Sequence, residues 1–173
     1  MSANSIYNID TWQPSTFYYR DYIVQNSGLY YYSSQDYTSS SSITTDINNG
    51  NLNGYIYDRG VNKPYFTWKP NFNYTNENVP RVKKIQFGDS YAQYVPDGIN
   101  NLLLNYNFTF EGDIHTVTAI LHFLSMRNGS ESFVFLPPAP QGNLLRFICP
   151  KWTQAQKFFN NYTIEANFIQ NPV

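Results

Sequence analysis

The chain has 173 residues, enough for one ordinary domain or for a domain plus a small module. Charged residues make up 13% of it and the net charge is −1, so it has no long-range pull on nucleic acid or an anionic membrane. Cys149 is the only cysteine, which excludes an internal disulfide and a cysteine zinc site.

Aromatic residues reach 18%, with 16 Tyr and 13 Phe, and these favour half-buried pleated surfaces. The polar start, MSANSIYNID, resembles neither a signal peptide nor a membrane span. Synthesis in a reducing cytoplasm and a soluble product are therefore expected. Sequons at Asn73, Asn107, Asn128 and Asn161 are by-products of an Asn-rich composition.

Residues 1–60 are rich in Tyr, Ser and Asn. Their apolar pieces are short: Thr16–Tyr19, Tyr22–Val24, Leu29–Tyr32 and Tyr55–Tyr57. Turn residues Asp21, Gly28, Gly50 and Gly54 separate them, which predicts a small β-module or extension with a marginal core. Ser39–Ser42 is low-complexity and is expected to be a mobile loop. In the junction, residues 58–80, Pro64, Pro70 and Pro80 interrupt any helix or central strand. Its aromatics Tyr65, Phe66, Trp68, Phe72 and Tyr74 predict packed strand and loop.

From Arg81 the pattern sharpens. Val82, Ile85 and Phe87 begin a strand ending at Gly88-Asp89, and Tyr91 with Tyr94-Val95 leads to the turn Pro96-Asp97-Gly98. In Asn101–Phe110, Leu104, Tyr106, Phe108 and Phe110 alternate with polar residues, the period of a strand with one buried face. One helix is expected, Asp113–Arg127, with Ile114, Val117, Leu121 and Leu124 at helical spacing. Asp113 is its N-cap, and Gly129 stands where a left-handed cap belongs. Strands resume at Ser132–Leu136, Leu144–Cys149 and Tyr162–Ile169. The expected fold is mainly β: a small barrel or sandwich of order β-β-β-α-β-β-β with one helix packed across it. The expected division is a module at 1–60 and a domain at 61–173.

Chemistry is hard to find in this sequence. His115 and His122 are seven apart on one helix face, and with Cys149 could make three metal ligands, but no pair has a recognised spacing. Half-exposed helix residues are the simpler reading. Asp10, Asp21, Asp36, Asp46 and Asp58 sit near turn residues, where Asp bends the backbone. There is no Gly-rich phosphate loop and no G-x-S-x-G elbow. Cys149, in the apolar run Phe147-Ile148-Cys149-Pro150, reads as a small buried hydrophobe. Arg81, Lys83 and Lys84 are too few for a phosphate-tracking stripe. No enzyme, cofactor or metal is expected.

Pro80, Val82, Phe87-Gly88-Asp89, Tyr91, Gln93, Gly98 and Asn100 fall in one order. Phe123-Leu124, Gly129, Ser132-Phe133, Pro137-Pro138, Cys149, Trp152 and Phe168 continue it. This series resembles the minor tail protein M family of lambda-type long-tailed bacteriophages over about 110 residues. Ser90, Tyr94 and Phe135 depart from the usual Gly, Arg and Trp. The resemblance implies a fold related to tail-tube and distal-tail proteins. It further implies a structural ring in the virion tail, six-fold to match the tube, joining tube to tip complex and assembled in the host bacterial cytoplasm. The implied partners are the chain itself, the tail tube protein and other tail-tip proteins, with no nucleic acid and no membrane insertion. Arg81, Lys83, Pro137 and Pro138 are the candidate assembly contacts, the prolines because a rigid loop loses little entropy on docking. Residues 1–60 faintly resemble small carbohydrate-binding modules, through Trp12, Phe17–Asp21, Val24, Gly28, Tyr30 or Tyr31, and Gln35–Ser39. Trp12, Tyr19, Tyr32 and Tyr37 are candidate glycan contacts, giving host-glycan binding as the alternative function.

Overall fold

The structure is a computed structural model that describes residues 9–54, 64–87 and 91–172. The expected strand at Tyr55–Tyr57 and the turn Gly88-Asp89, with Ser90, lie outside the described residues.

In chain order, the N-terminal segment has strands β1 (Asp10–Thr11), β2 (Phe17–Tyr18), β3 (Ile23–Asn26), β4 (Leu29–Ser33) and β5 (Tyr37–Thr38). Helix α1 (Ile43–Asn48) and strand β6 (Leu52–Gly54) complete it. Four of these strands form a sheet of order β1-β3-β4-β6, while β2 pairs with β5. Ser27 and Gly28 both have positive φ, which lets a two-residue turn join β3 to β4 without splaying the strands. Period-two alternation then sends consecutive side chains to opposite faces. Val24 and Tyr31 join a small core with Tyr18, Tyr37 and Leu52, whereas Ile23, Tyr30 and Tyr32 pack into the main core of the chain. This sheet is therefore buried on both faces.

Residues Ser39–Ser42, expected as a mobile loop, are tied down. Ser39 is buried and its Oγ donates to the carbonyl of Gln13 at 2.7 Å; the Ser40 amide donates to Asp46 Oδ1 at 3.0 Å. Ser42 leads into α1, a second helix that the periodicity did not show. Asp46 is the buried hub of the segment, and it also accepts from Trp12 Nε1 at 3.2 Å and Tyr37 Oη at 3.5 Å.

After the junction come β7 (Tyr65–Phe66), β8 (Thr75–Asn78), β9 (Val82–Phe87), β10 (Tyr91–Pro96) and β11 (Leu104–Gly112). Helix α2 (Ile114–Arg127), β12 (Phe133–Phe135), β13 (Leu145–Phe158) and β14 (Asn161–Gln170) follow. Five strands thus precede the main helix where three were expected. Six strands form an open sheet of order β7-β12-β13-β14-β11-β8, so the sandwich alternative holds and the barrel does not. The buried face of this sheet follows the alternation read from the sequence. Tyr106, Phe108 and Phe110 of β11 face Ile164, Ala166 and Phe168 of β14 and, beyond them, Phe147 of β13. Phe66 sits at the centre, edge-on to Phe110, Phe123 and Phe168 at 5.2, 5.4 and 5.2 Å. Such edge-to-face packing satisfies the ring quadrupoles as well as burying area.

Helix α2 packs over this face. Asp113 caps it, accepting the Thr116 amide at 2.9 Å. Its other end closes with Asn128 in the left-handed region, one residue earlier than expected, and Gly129 also has positive φ. Every residue from Ala119 to Leu124 is buried. A helix buried all round needs cover on both sides. The six-stranded sheet covers one side and the β3–β4 hairpin the other, giving the order sheet, helix, sheet.

Candidate assembly surfaces

Among the described residues, strands β9 and β10 pair only with each other and form a two-stranded ribbon outside the main sheet. Its base is clamped at Arg81, whose amide donates to Asn101 O at 2.7 Å and whose carbonyl accepts the Asp97 amide at 2.9 Å. The register places Ile85, Phe87, Tyr91 and Val95 on one face, with Lys83 among them. Phe87 and Tyr91 pack on each other at 6.1 Å, yet they remain 51% and 66% exposed. Tyr94 and Val82 are exposed on the other face. A ribbon of this kind has no core of its own, and an isolated hairpin is marginal in water. Its apolar side chains are displayed.

A second aromatic display tips the β13–β14 hairpin. Phe158 pairs with Asn161 across a two-residue turn, and Phe159 is 93% exposed. Asn160 has a positive φ, and its Oδ1 accepts the Ile114 amide at 3.2 Å, holding the tip against the start of α2. On β13, Lys157 pairs with Glu111 of β11, and this contact lowers the Glu111 carboxyl below its ordinary range. The sequence reading ended β13 at Cys149 and so missed this tip. The signal was an Asn pair, Asn160-Asn161, directly behind two Phe residues.

Beside that helix end lies a cleft of about 440 Å³ between the N-terminal segment and α2, lined in part by Asp10, Phe17, Tyr19, Tyr22 and His115. Tyr19 stacks on His115 at 5.9 Å and Phe17 meets Tyr19 edge-on at 5.1 Å, with both rings about half exposed. The Tyr22 hydroxyl donates to Asp10. Burial, this hydrogen bond and the Asp10 charge push that hydroxyl up to about 12, so it stays a donor.

The four glycan candidates do not converge. Tyr37 is buried, Trp12 is half-buried with its indole nitrogen on Asp46, and Tyr32 packs on Trp68 at 5.9 Å. Tyr19 alone of the four borders the cleft. The assembly candidates also separate. Arg81 and Lys83 are exposed on the ribbon, whereas Pro137 is buried and Pro138 half-buried, in a loop whose Ala139 carbonyl accepts the Tyr74 hydroxyl at 2.9 Å.

His122, expected to be half-exposed, is fully buried because the N-terminal segment covers that face of α2, with the Tyr30 ring 4.4 Å from the imidazole. Burial chiefly, and then the Arg127 charge, lowers its pKa to about 4. His115 is half-buried under Tyr19 and Tyr22. Cys149 is buried in the sheet, as its apolar run implied, and burial pushes its thiol up to about 12. Among the described residues no group of three or more His, Cys, Asp or Glu side chains could hold a metal ion, and no helix is long and apolar enough to cross a membrane.

The comparisons match the part of the chain that carries the ribbon and the six-stranded sheet. Residues 64–171 match the family model described as phage minor tail protein. The chain is similar to tail tip protein M of Escherichia phage N15, 36% identical over 107 residues, which cover 61% of this chain and 92% of the relative. It is also similar to tail tip protein M of Escherichia phage lambda, 33% identical over 88 residues, which cover 51% of this chain and 80% of the relative. Residues 9–54, with the cleft's aromatic wall, lie outside the family match. An open β-sheet carrying one long helix, with aromatic strands left bare at its margins, is how this sequence realises a structural component of a virion tail: the chain belongs to the phage minor tail protein family.

Proposed function

We propose that this protein assembles as a symmetric ring at the end of the tail tube, six-fold to match it, and joins the tube to the distal tip complex. The partners are other copies of the chain, the tube protein and further tip proteins, with assembly in the host bacterial cytoplasm. The observation that carries this reading is the ribbon β9–β10. Its apolar side chains, among them Phe87, Tyr91 and Tyr94, stand in solvent, where a monomer would gain nothing by holding them. Interface cores are depleted of charge and enriched in aromatics, and the chain as a whole has 13% charged and 18% aromatic residues. Within this reading residues 1–60 act as a small module added to the ring domain at 61–173.

The test is light scattering on the purified chain across concentration, with cryo-EM of assembled tails. A closed ring at the tube end is the expected image. A chain that stays monomeric at all concentrations, and is missing from the tail, refutes the proposal.

Host-glycan binding is the second reading, and the observation that favours it is the exposed Tyr19 ring beside the cleft. A glycan array tests it, and an array without hits removes it.

A further inference from the structure

Of the four carboxylates in residues 9–54, Asp46 is buried and Asp21 sits beside Arg20, and it is the exposed Asp10 that brings negative charge to the cleft. The ribbon is the reverse: Arg81, Lys83 and Lys84 with no carboxylate in its described residues, 81–87 and 91–96. Each also displays aromatic side chains, Phe17 and Tyr19 at the cleft, Phe87 and Tyr91 on the ribbon. The two surfaces complement each other in charge and match in apolar character.

We infer that the ribbon β9–β10 of one copy docks into the cleft between the N-terminal segment and α2 of the next copy. The inference rests on the ring reading and adds to it the contact by which neighbours hold each other. Phe87 and Tyr91 lie against Phe17 and Tyr19, while Lys83, on the same face of the ribbon, approaches Asp10. The cleft is about 440 Å³, a volume in the range that takes a few large side chains. Donor and acceptor surfaces are different patches of the same chain, so the contact is heterologous, and a heterologous contact closes into a ring when its rotation allows. The N-terminal segment, which the family match does not include, thereby becomes a subunit clasp.

The test uses the full chain with Tyr19→Cys and Tyr91→Cys, singly and together, treated with a short bis-maleimide linker. The native Cys149 is buried, which keeps the background low. Light scattering on the same samples reports whether rings are present. The double variant is expected to give a ladder of covalent oligomers, each single variant none, and a mixture of the two singles only dimers. Lys83→Glu is expected to weaken association about ten-fold, most strongly at low salt.

Rings without a ladder overturn the clasp and leave the ring reading standing. Dimers from Tyr91→Cys alone show ribbon meeting ribbon and also overturn it. Samples that are monomeric throughout overturn both readings. A glycan bound at Tyr19 in intact rings, without cross-linking, assigns the cleft to sugar and refutes the clasp.

Discussion

Protonating His122 tests the layered packing most directly. The ring is fully buried on α2 beneath Tyr30 of the N-terminal segment, with the Arg127 charge nearby. Its pKa is about 4 in the folded chain against 6.5 for the free group. Above pH 6.5 the imidazole is neutral in both states and costs nothing. Between 6.5 and 4 the unfolded chain binds a proton that the folded chain does not, so stability falls as pH falls through that window. The full separation corresponds to about 3 kcal/mol. Near pH 5.5 the expected slope is about 1 kcal/mol per pH unit. Urea unfolding followed by tryptophan fluorescence at several pH values measures it, with His122→Leu as the comparison, because other acid-sensitive groups contribute equally to both curves. The difference in slope between the two proteins is the His122 contribution. Parallel curves between pH 6.5 and 4 would falsify the claim that the segment buries this histidine.

Phe66→Ala removes the ring at the centre of the aromatic core and should cost about 3–5 kcal/mol in urea unfolding, since the surrounding rings cannot all collapse inward. Asp46→Ala strips the partners from Trp12, Tyr37 and the Ser40 amide and should cost about 1–3 kcal/mol, with amide exchange rising in residues 9–54 before the main sheet. Pro137→Gly should lower the melting temperature of the isolated chain, because Pro137 is buried in its own fold; a loss confined to assembly would return it to the role of a contact. Phe87→Ser with Tyr91→Ser should change the unfolding free energy by no more than about 0.5 kcal/mol, since both side chains are exposed, while association weakens.

The β elements with one buried face were legible in the sequence. Tyr106, Phe108 and Phe110 alternate with polar residues, and the structure buries each of them. The helix was legible too, since Asp113 and the Val117–Leu124 stripe fix its start and inner face. What escaped was pairing at long range. Residues 151–158 continue β13 through KWTQAQKF, a run whose polar residues gave no alternation to read because it pairs on one side only and lies mostly in solvent. Helix α1 is only six residues long, too short for any period to register, and its order comes from the hub at Asp46. The candidate glycan residues misled for a related reason. Aromatics in a small β-segment are read from composition alike, whether they are core or platform, and burial sorted Tyr37 from Tyr19.

One signal was present and went unused. The run Ala119–Leu124, AILHFL, is apolar on nearly all sides of a helix, and a helix lying on one sheet needs only a single apolar face. A second covering layer had to exist. The structure supplies it from Ile23, Tyr30 and Tyr32, on strands outside the family match. Two consequences follow from one piece of packing. The added segment cannot be a tethered appendage, because its β3–β4 face shares the main core. The cleft it forms with α2 is consequently held in fixed geometry, by Ile23 in the main core and by Tyr22 against His115 at 4.6 Å. A rigid cleft is what a neighbouring ribbon can dock into at low entropic cost. A segment that swung freely would offer no such surface, so the burial of His122 and the subunit clasp depend on the same contact.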